Sequence, residues 1–195
     1  LSPFDPLSLN PILAFEASRS MLAAGDATAA NFDSVAALQN LVSGGANATQ
    51  TSSTKQPRAH VPVGGGHLYL PSASGNSASV TFPSIAADED FVFEAQVFLI
   101  SATNFYLLTG ATADHRFAVF NGKFYFGFHD VATLNSSLAT GASTLTVERS
   151  GSTITLKQDG VLKATTSSGV SDNSYNFTHL SFNQQFTTSI LSLNG

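Results

Sequence analysis

The segment Thr144 to Thr166, TLTVERSGSTITLKQDGVLKATT, constrains the fold more than any other part of the chain. Leu145, Val147 and Arg149 alternate with Thr144, Thr146 and Glu148, so one set faces a core and the other faces away. Ser150-Gly151-Ser152 makes a tight turn, and Ile154 and Leu156 restore the alternation. Asp159-Gly160 makes a second turn before Val161 and Leu162 open a third run. Asp-Gly tolerates the positive φ angles of a type I′ turn, whose twist suits antiparallel strands. The pattern predicts a three-stranded antiparallel meander.

A chain of 195 residues fits one domain. At that size it buries roughly 70% of its unfolded surface and needs no covalent staple. There is no cysteine, which excludes only the small disulfide-rich class. Charged residues make up 11% and the net charge is −5, so solubility rests on Ser, Thr, Asn and Gln. The acidic balance and scattered Lys and Arg argue against nucleic-acid binding. No apolar run reaches the roughly 18 residues of a membrane span; the longest, Phe91 to Ile100, is interrupted by Glu94 and Gln96. The opening LSPFDPLSLNP lacks the order of a signal peptide and an initiator Met, which suggests a processed, trimmed or partial chain.

Pro3, Pro6 and Pro11 make residues 1–11 an extended arm, followed by one domain over 12–195. Strands are expected at Ile12–Phe15, Ala59–Val63, His67–Leu70, Ser79–Pro83, Phe91–Ser101, Asn104–Thr109, Arg116–Phe120 and Lys123–Phe128. The last two are joined by Asn121-Gly122, another type I′ signal. Leu134 to Ala142 reads as a loop, and Thr178–Asn183 and Thr187–Leu193 close the chain. Ser34 to Val42 is ambiguous: propensity favours a short helix capped by Asp33 or Ser34, but a strand is also open. Turns every 8–12 residues or so suit a sandwich or barrel, and the lack of helix–strand alternation argues against a parallel sheet. In a closed sandwich the terminal runs Ile12–Phe15 and Ile190–Leu193 should lie together.

VERSGSTITLKQDGVLKATT resembles the strand–turn–strand–turn hairpins of the laminin G-like, or concanavalin A-like, jelly-roll superfamily. DHRFAVFNGKFYFGFHD resembles the preceding hairpin of such domains, and DFVFEAQVFLI their long inner strand. FEASRSML, SVAALQNLVSGGANATQ, KQPRAHV and HLYL are similar to the start of bacterial and phage members, with Leu38 where a Trp is usual and Asn40 where an Asp is usual. The resemblance implies an all-β, antiparallel two-sheet jelly-roll sandwich with adjacent first and last strands, and makes Ser34–Val42 a strand. It implies no one activity, since the superfamily hosts lectins, adhesion modules, virion proteins and glycan hydrolases.

Hydrolases of this superfamily set carboxylates at alternate positions on one strand, and glycoside cleavage needs two carboxyls flanking the scissile bond. Asp88, Glu89, Asp90 and Glu94 are the candidates. Beyond Glu94 the same strand face carries Gln96 and Phe98, with no second carboxylate, and Asp90 falls in the turn. The cluster therefore reads as an acidic turn plus one rim Glu. Asp26, Asp33, Asp114, Asp130 and Asp172 lie in expected loops without a compact calcium-binding spacing, so a structural calcium is left open and no other cofactor is expected. His60, His67, His115, His129 and His179 show no paired zinc-ligand spacing. There is no G-x-S-x-G elbow, and Gly64-Gly65-Gly66 lacks the Lys of a phosphate loop. Asn47, Asn135 and Asn176 match the N-glycosylation pattern, a cheap match in a Ser/Thr-rich chain.

Sugar binding asks for an aromatic platform with amide and carboxylate neighbours. Tyr69, Asn104, Tyr106, Asp114, Arg116 and Asp130 form the expected ligand-binding set. The function expected from these features is a non-catalytic surface module for adhesion or glycan recognition, extracellular or on a virion surface, and not an enzyme. Its partners would be a glycan or neighbouring subunits, with a homo-oligomer open. The alternatives are a structural virion protein that binds only its neighbours, and a glycan hydrolase of the same fold.

Overall fold

The computed structural model describes residues 13–15, 21–25, 27–30, 33–60, 67–69, 78–86, 90–99, 104–110, 116–126, 130–167, 176–182, 186–187 and 191–194. The Pro-rich stretch 1–11 lies outside them, as do Asp88 and Glu89. The described residues are all-β and antiparallel. No helix among them is long and apolar enough to cross a membrane.

The first sheet runs, in spatial order, β1 (Leu13–Phe15), β18 (Leu191–Asn194), β8 (Phe91–Leu99), β13 (Gly141–Ser150), β14 (Thr153–Gln158) and β15 (Val161–Thr166). The second runs β12 (Asp130–Thr133), β11 (Lys123–Phe126), β10 (Arg116–Phe120), β9 (Asn104–Gly110), β16 (Asn176–Phe182), β7 (Ala78–Ala86), β4 (Ala48–Thr49), β3 (Ala37–Leu38) and β2 (Met21–Leu22). A small third sheet holds β17 (Phe186–Thr187), β6 (His67–Tyr69) and β5 (Arg58–His60). This is a two-sheet jelly-roll sandwich with the expected terminal pairing: Leu13 lies opposite Leu193 and Phe15 opposite Leu191.

The turn chemistry acts where the sequence puts it. Asn121 and Gly122 both have positive φ, as do Asp159 and Gly160, the backbone a type I′ turn requires. Gly151 takes positive φ at the first position of a two-residue loop, and Ser150 pairs with Thr153 across it. Two carboxylates pin this meander. The Asp159 Oδ1 accepts from the Thr144 N–H at 2.8 Å, and the Asp90 Oδ1 accepts from the Gly151 N–H at 2.6 Å. The acidic turn before β8 thus caps the β13–β14 hairpin.

Alternation then fills the space between the sheets. Phe91, Phe93, Ala95, Val97 and Leu99 of β8 and Leu145, Val147, Ile154 and Leu156 of the meander are buried against Phe117, Val119, Phe124 and Phe126 of β10 and β11. Phe117 sits at the centre, with ring centroids 4.9 Å from Phe126, 5.7 Å from Phe91 and 5.9 Å from Phe93. Gln158 is buried at the end of β14, where its Oε1 accepts from the Ala139 N–H and its Nε2 donates to the Ala139 carbonyl, each at 2.8 Å. That clamp fastens residues 134–140 over the core and buries Leu138.

Three local readings are corrected. Ser34–Val42 is not a helix: Ala37–Leu38 forms β3, as the resemblance implied, because Val35, Ala37 and Leu38 are all buried and tertiary packing overrides propensity. The strand expected to stop at Pro83 continues to Ala86. Thr81 lies opposite His179 and Ile85 opposite Phe177, so Pro83 falls in a bulge where its missing N–H is not needed. Asp130, expected in a loop, opens β12 (Asp130–Thr133), which pairs with β11.

Asn40 joins the two sheets. Its Oδ1 accepts from Ala14 N–H at 3.2 Å and Val42 N–H at 3.1 Å, while its own N–H donates to Asn47 Oδ1 at 3.0 Å. The Leu41 N–H donates to the Ala14 carbonyl at 2.9 Å, so this loop closes the β1 edge. A Cβ on Gly45 would meet the Asn40 side chain, its Cγ at 2.7 Å, which keeps that position glycine. Asn40→Ala leaves two N–H groups without their acceptor, and a stability loss of about 2–4 kcal/mol is expected from the usual cost per buried orphan. A urea titration checks it; an unchanged midpoint would show that the loop finds other acceptors.

Candidate functional site

The outward face of the first sheet gathers the polar chemistry. Because β8 buries its odd-numbered residues, Val92, Glu94 and Gln96 stand on the opposite face, half-buried. On β13 the outward residues are Thr144, Thr146 and Glu148, and on β14 they are Thr153, Thr155 and Lys157. Register aligns them in rows. Glu94 lies opposite Thr146, which lies opposite Lys157; Val92 lies opposite Glu148, which lies opposite Thr155. On the other flank of β8, Ser192 of β18 stands at the Glu94 position.

Glu94 and Glu148 are therefore diagonal neighbours on adjacent strands, their backbone positions about 7–8 Å apart by sheet geometry. The Lys157 Nζ donates to the Glu148 Oε2 at 2.7 Å, with both side chains about a third exposed (35% and 38%). A pair this exposed contributes about 0–1 kcal/mol. Its consequence is positional: it draws the Glu148 carboxylate toward β14 and away from Glu94.

Burial pushes the Glu94 carboxyl above its ordinary value of 4.5, and the Thr146 hydroxyl, which donates to it, opposes the shift. Glu94 thus holds its proton to higher pH than a free Glu. The sign for folding follows: its contribution to stability is fully present below pH 4.5 and is lost as pH rises through the raised value. One proton donor and one paired carboxylate on a single face form an acid–base pair in the sense glycoside cleavage uses.

Beside the pair, the Thr155 Oγ1 is the one buried side-chain polar atom among the described residues that lacks a hydrogen-bond partner. An orphaned hydroxyl costs about 1–3 kcal/mol. Thr155→Val keeps the shape and removes the orphan, so a gain of about 1 kcal/mol is expected in a urea titration; a loss of stability would mean that the hydroxyl is satisfied in solution.

The residues expected to bind a ligand are spread out. Asn104 and Tyr106 lie on β9, opposite Phe120 and Ala118, while Arg116 lies at the other end of β10, opposite Thr109. Four residues of strand separate the Asn104 and Arg116 positions, about 13 Å. Asp130 stands opposite Phe126, at the Arg116 end. Tyr69 lies on β6 of the third sheet, opposite Arg58. Asp114 lies outside the described residues. The register puts Arg116 and Asp130 at one end of the second sheet, on β10 and β12 with β11 between them, and leaves Asn104, Tyr106 and Tyr69 elsewhere.

Of the calcium candidates, the Asp33 Oδ2 accepts from Ala30 N–H at 2.8 Å, and Asp26, Asp114 and Asp172 lie outside the described residues. Among the described residues no group of three or more His, Asp or Glu could hold a metal. Register does bring His60 opposite His67, a pairing invisible in their sequence spacing, but two imidazoles fall short of the three protein ligands of a catalytic zinc. Asn47, the first glycosylation match, accepts the Asn40 N–H.

No protein-family model and no curated protein sequence matches the chain. Among solved structures it is similar to the alginate lyase AlgAT5 from polysaccharide lyase family 7. The identity is 12%, the TM-score 0.39, and the match covers 69% of this chain and 80% of that one. That structure is an enzyme. The expectations of a non-catalytic adhesion or recognition module, and of no enzyme, are accordingly corrected, and the lectin, phage and virion readings find no support. Alternation along the strand of Glu94 offers no second carboxylate; the register places Glu148 on the strand beside it.

Proposed function

We propose that the chain is a glycan-cleaving enzyme, a glycoside hydrolase on a jelly-roll sandwich, with its site on the outward face of the first sheet. The observation that carries this reading is the diagonal placement of Glu94 and Glu148 on β8 and β13. Glu94, whose burial favours the protonated form, donates its proton to the leaving-group oxygen. Glu148, held by Lys157, takes the proton of the attacking water. Lys157 draws the Glu148 carboxylate away from Glu94, which suits the wider carboxyl separation of inverting enzymes, about 6.5–9.5 Å, that leaves room for that water, so the anomeric configuration inverts. Polymeric glycans do not enter cells, and the enzyme would work outside them.

The test is incubation with a panel of glucans, galactans, xylans and polyuronates, followed by reducing-end assay and NMR of the first products. New reducing ends with inverted configuration are expected on at least one polymer. Absence of cleavage across the panel would sink the reading, and elimination products with an unsaturated terminus would replace hydrolysis by a lyase reaction.

A further inference from the structure

We propose that this face selects uncharged glycans, polymers of neutral hexoses or pentoses, and disfavours uronate-rich or sulfated ones. The inference rests on the hydrolase reading and adds its substrate class. The face carries two carboxyl groups, Glu94 and Glu148, against one ammonium, Lys157. That ammonium is already engaged, 2.7 Å from the Glu148 Oε2. A uronate or sulfate laid across the site meets the Glu148 carboxylate and finds the Lys157 ammonium already paired with it.

Val92, Gln96, Thr144 and Thr155 flank the pair on β8, β13 and β14, half-buried. Hydroxyls and an amide match the mixed donor–acceptor character of sugar hydroxyls. The chain's net charge of −5 adds a long-range field of the same sign, which slows the approach of a polyanion.

Binding measured on the full chain tests the proposal apart from turnover. Fluorescently labelled neutral oligosaccharides (glucan, galactan, xylan) and an oligouronate are titrated at low ionic strength, with the wild-type chain and with Glu148→Gln. Wild type should bind at least one neutral oligosaccharide, and the oligouronate about tenfold or more weakly, the scale of one unscreened like-charge contact. Glu148→Gln frees Lys157 and should narrow that gap about tenfold. Equal or tighter binding of the oligouronate by wild type overturns the proposal, as does binding of neither. If a neutral oligosaccharide binds preferentially but is never cleaved, the selectivity stands and the hydrolase reading fails. If an oligouronate is the better ligand and is hydrolysed, without an unsaturated terminus, in a Glu94-dependent way, the hydrolase reading stands and the selectivity fails.

Discussion

Glu94→Gln should lower the rate on a responsive glycan by about 10²- to 10⁴-fold, the usual contribution of a positioned general acid. Gln has the shape of Glu and can accept from the Thr146 hydroxyl, but it has no proton to give a departing sugar oxygen. Substrate affinity should change far less than turnover, because the loss falls on the transition state. The fold should survive, and below pH 4.5, where the native carboxyl is protonated, the two proteins should be nearly equal in stability. As pH rises through the raised value, wild type loses stability that Glu94→Gln keeps. Initial rates and urea titrations at several pH values check both halves. A Glu94→Gln chain with wild-type turnover would remove Glu94 from the chemistry.

Phe117→Ala should cost about 3–5 kcal/mol. The Phe117 ring is fully buried and touches rings from both sheets: Phe126 beside it on β11, and Phe91 and Phe93 across the sandwich on β8. Truncation opens a cavity at the point where the sheets meet. Against a total stability of about 5–15 kcal/mol, this brings the chain close to unfolding. Phe117→Leu, which retains most of the volume, should cost markedly less. A urea midpoint shift in Phe117→Ala no larger than that of an exposed substitution such as Phe120→Ala would contradict the packing described. Phe120 is 43% exposed at the tip of the β10–β11 hairpin.

Much of the fold is legible in the sequence because its signals are local. The alternation from Leu145 to Leu156 and the turn residues Asn121-Gly122 and Asp159-Gly160 act over a few residues, and each strand they bound is found. The pairing of the chain ends follows from closure of the sandwich. Where a strand is only two to four residues long, as in β2, β3 and β12, there is too little alternation to count. Pro83 misleads because a bulge, a feature of pairing, absorbs it.

The site is harder to read for the same reason. β8 and β13 are neighbours in space but four strands apart in the chain, so nothing local reveals that Glu148 falls one diagonal step from Glu94. Glu148 was in view from the start, as an outward residue of the meander. What the sequence lacked was the register, and register depends on how the whole inner face packs. Asp90 shows the converse: it shares the parity of Glu94, yet its carboxylate caps Gly151.

The dependence of kcat/KM on pH, measured for wild type on whichever glycan it cleaves, tests the paired-carboxylate site most directly. An alkaline fall is expected as Glu94 loses its proton, at a pH above the ordinary 4.5. In Glu94→Gln the alkaline fall should disappear together with most of the rate. An alkaline fall that persists unchanged in Glu94→Gln, at an undiminished rate, would contradict the account.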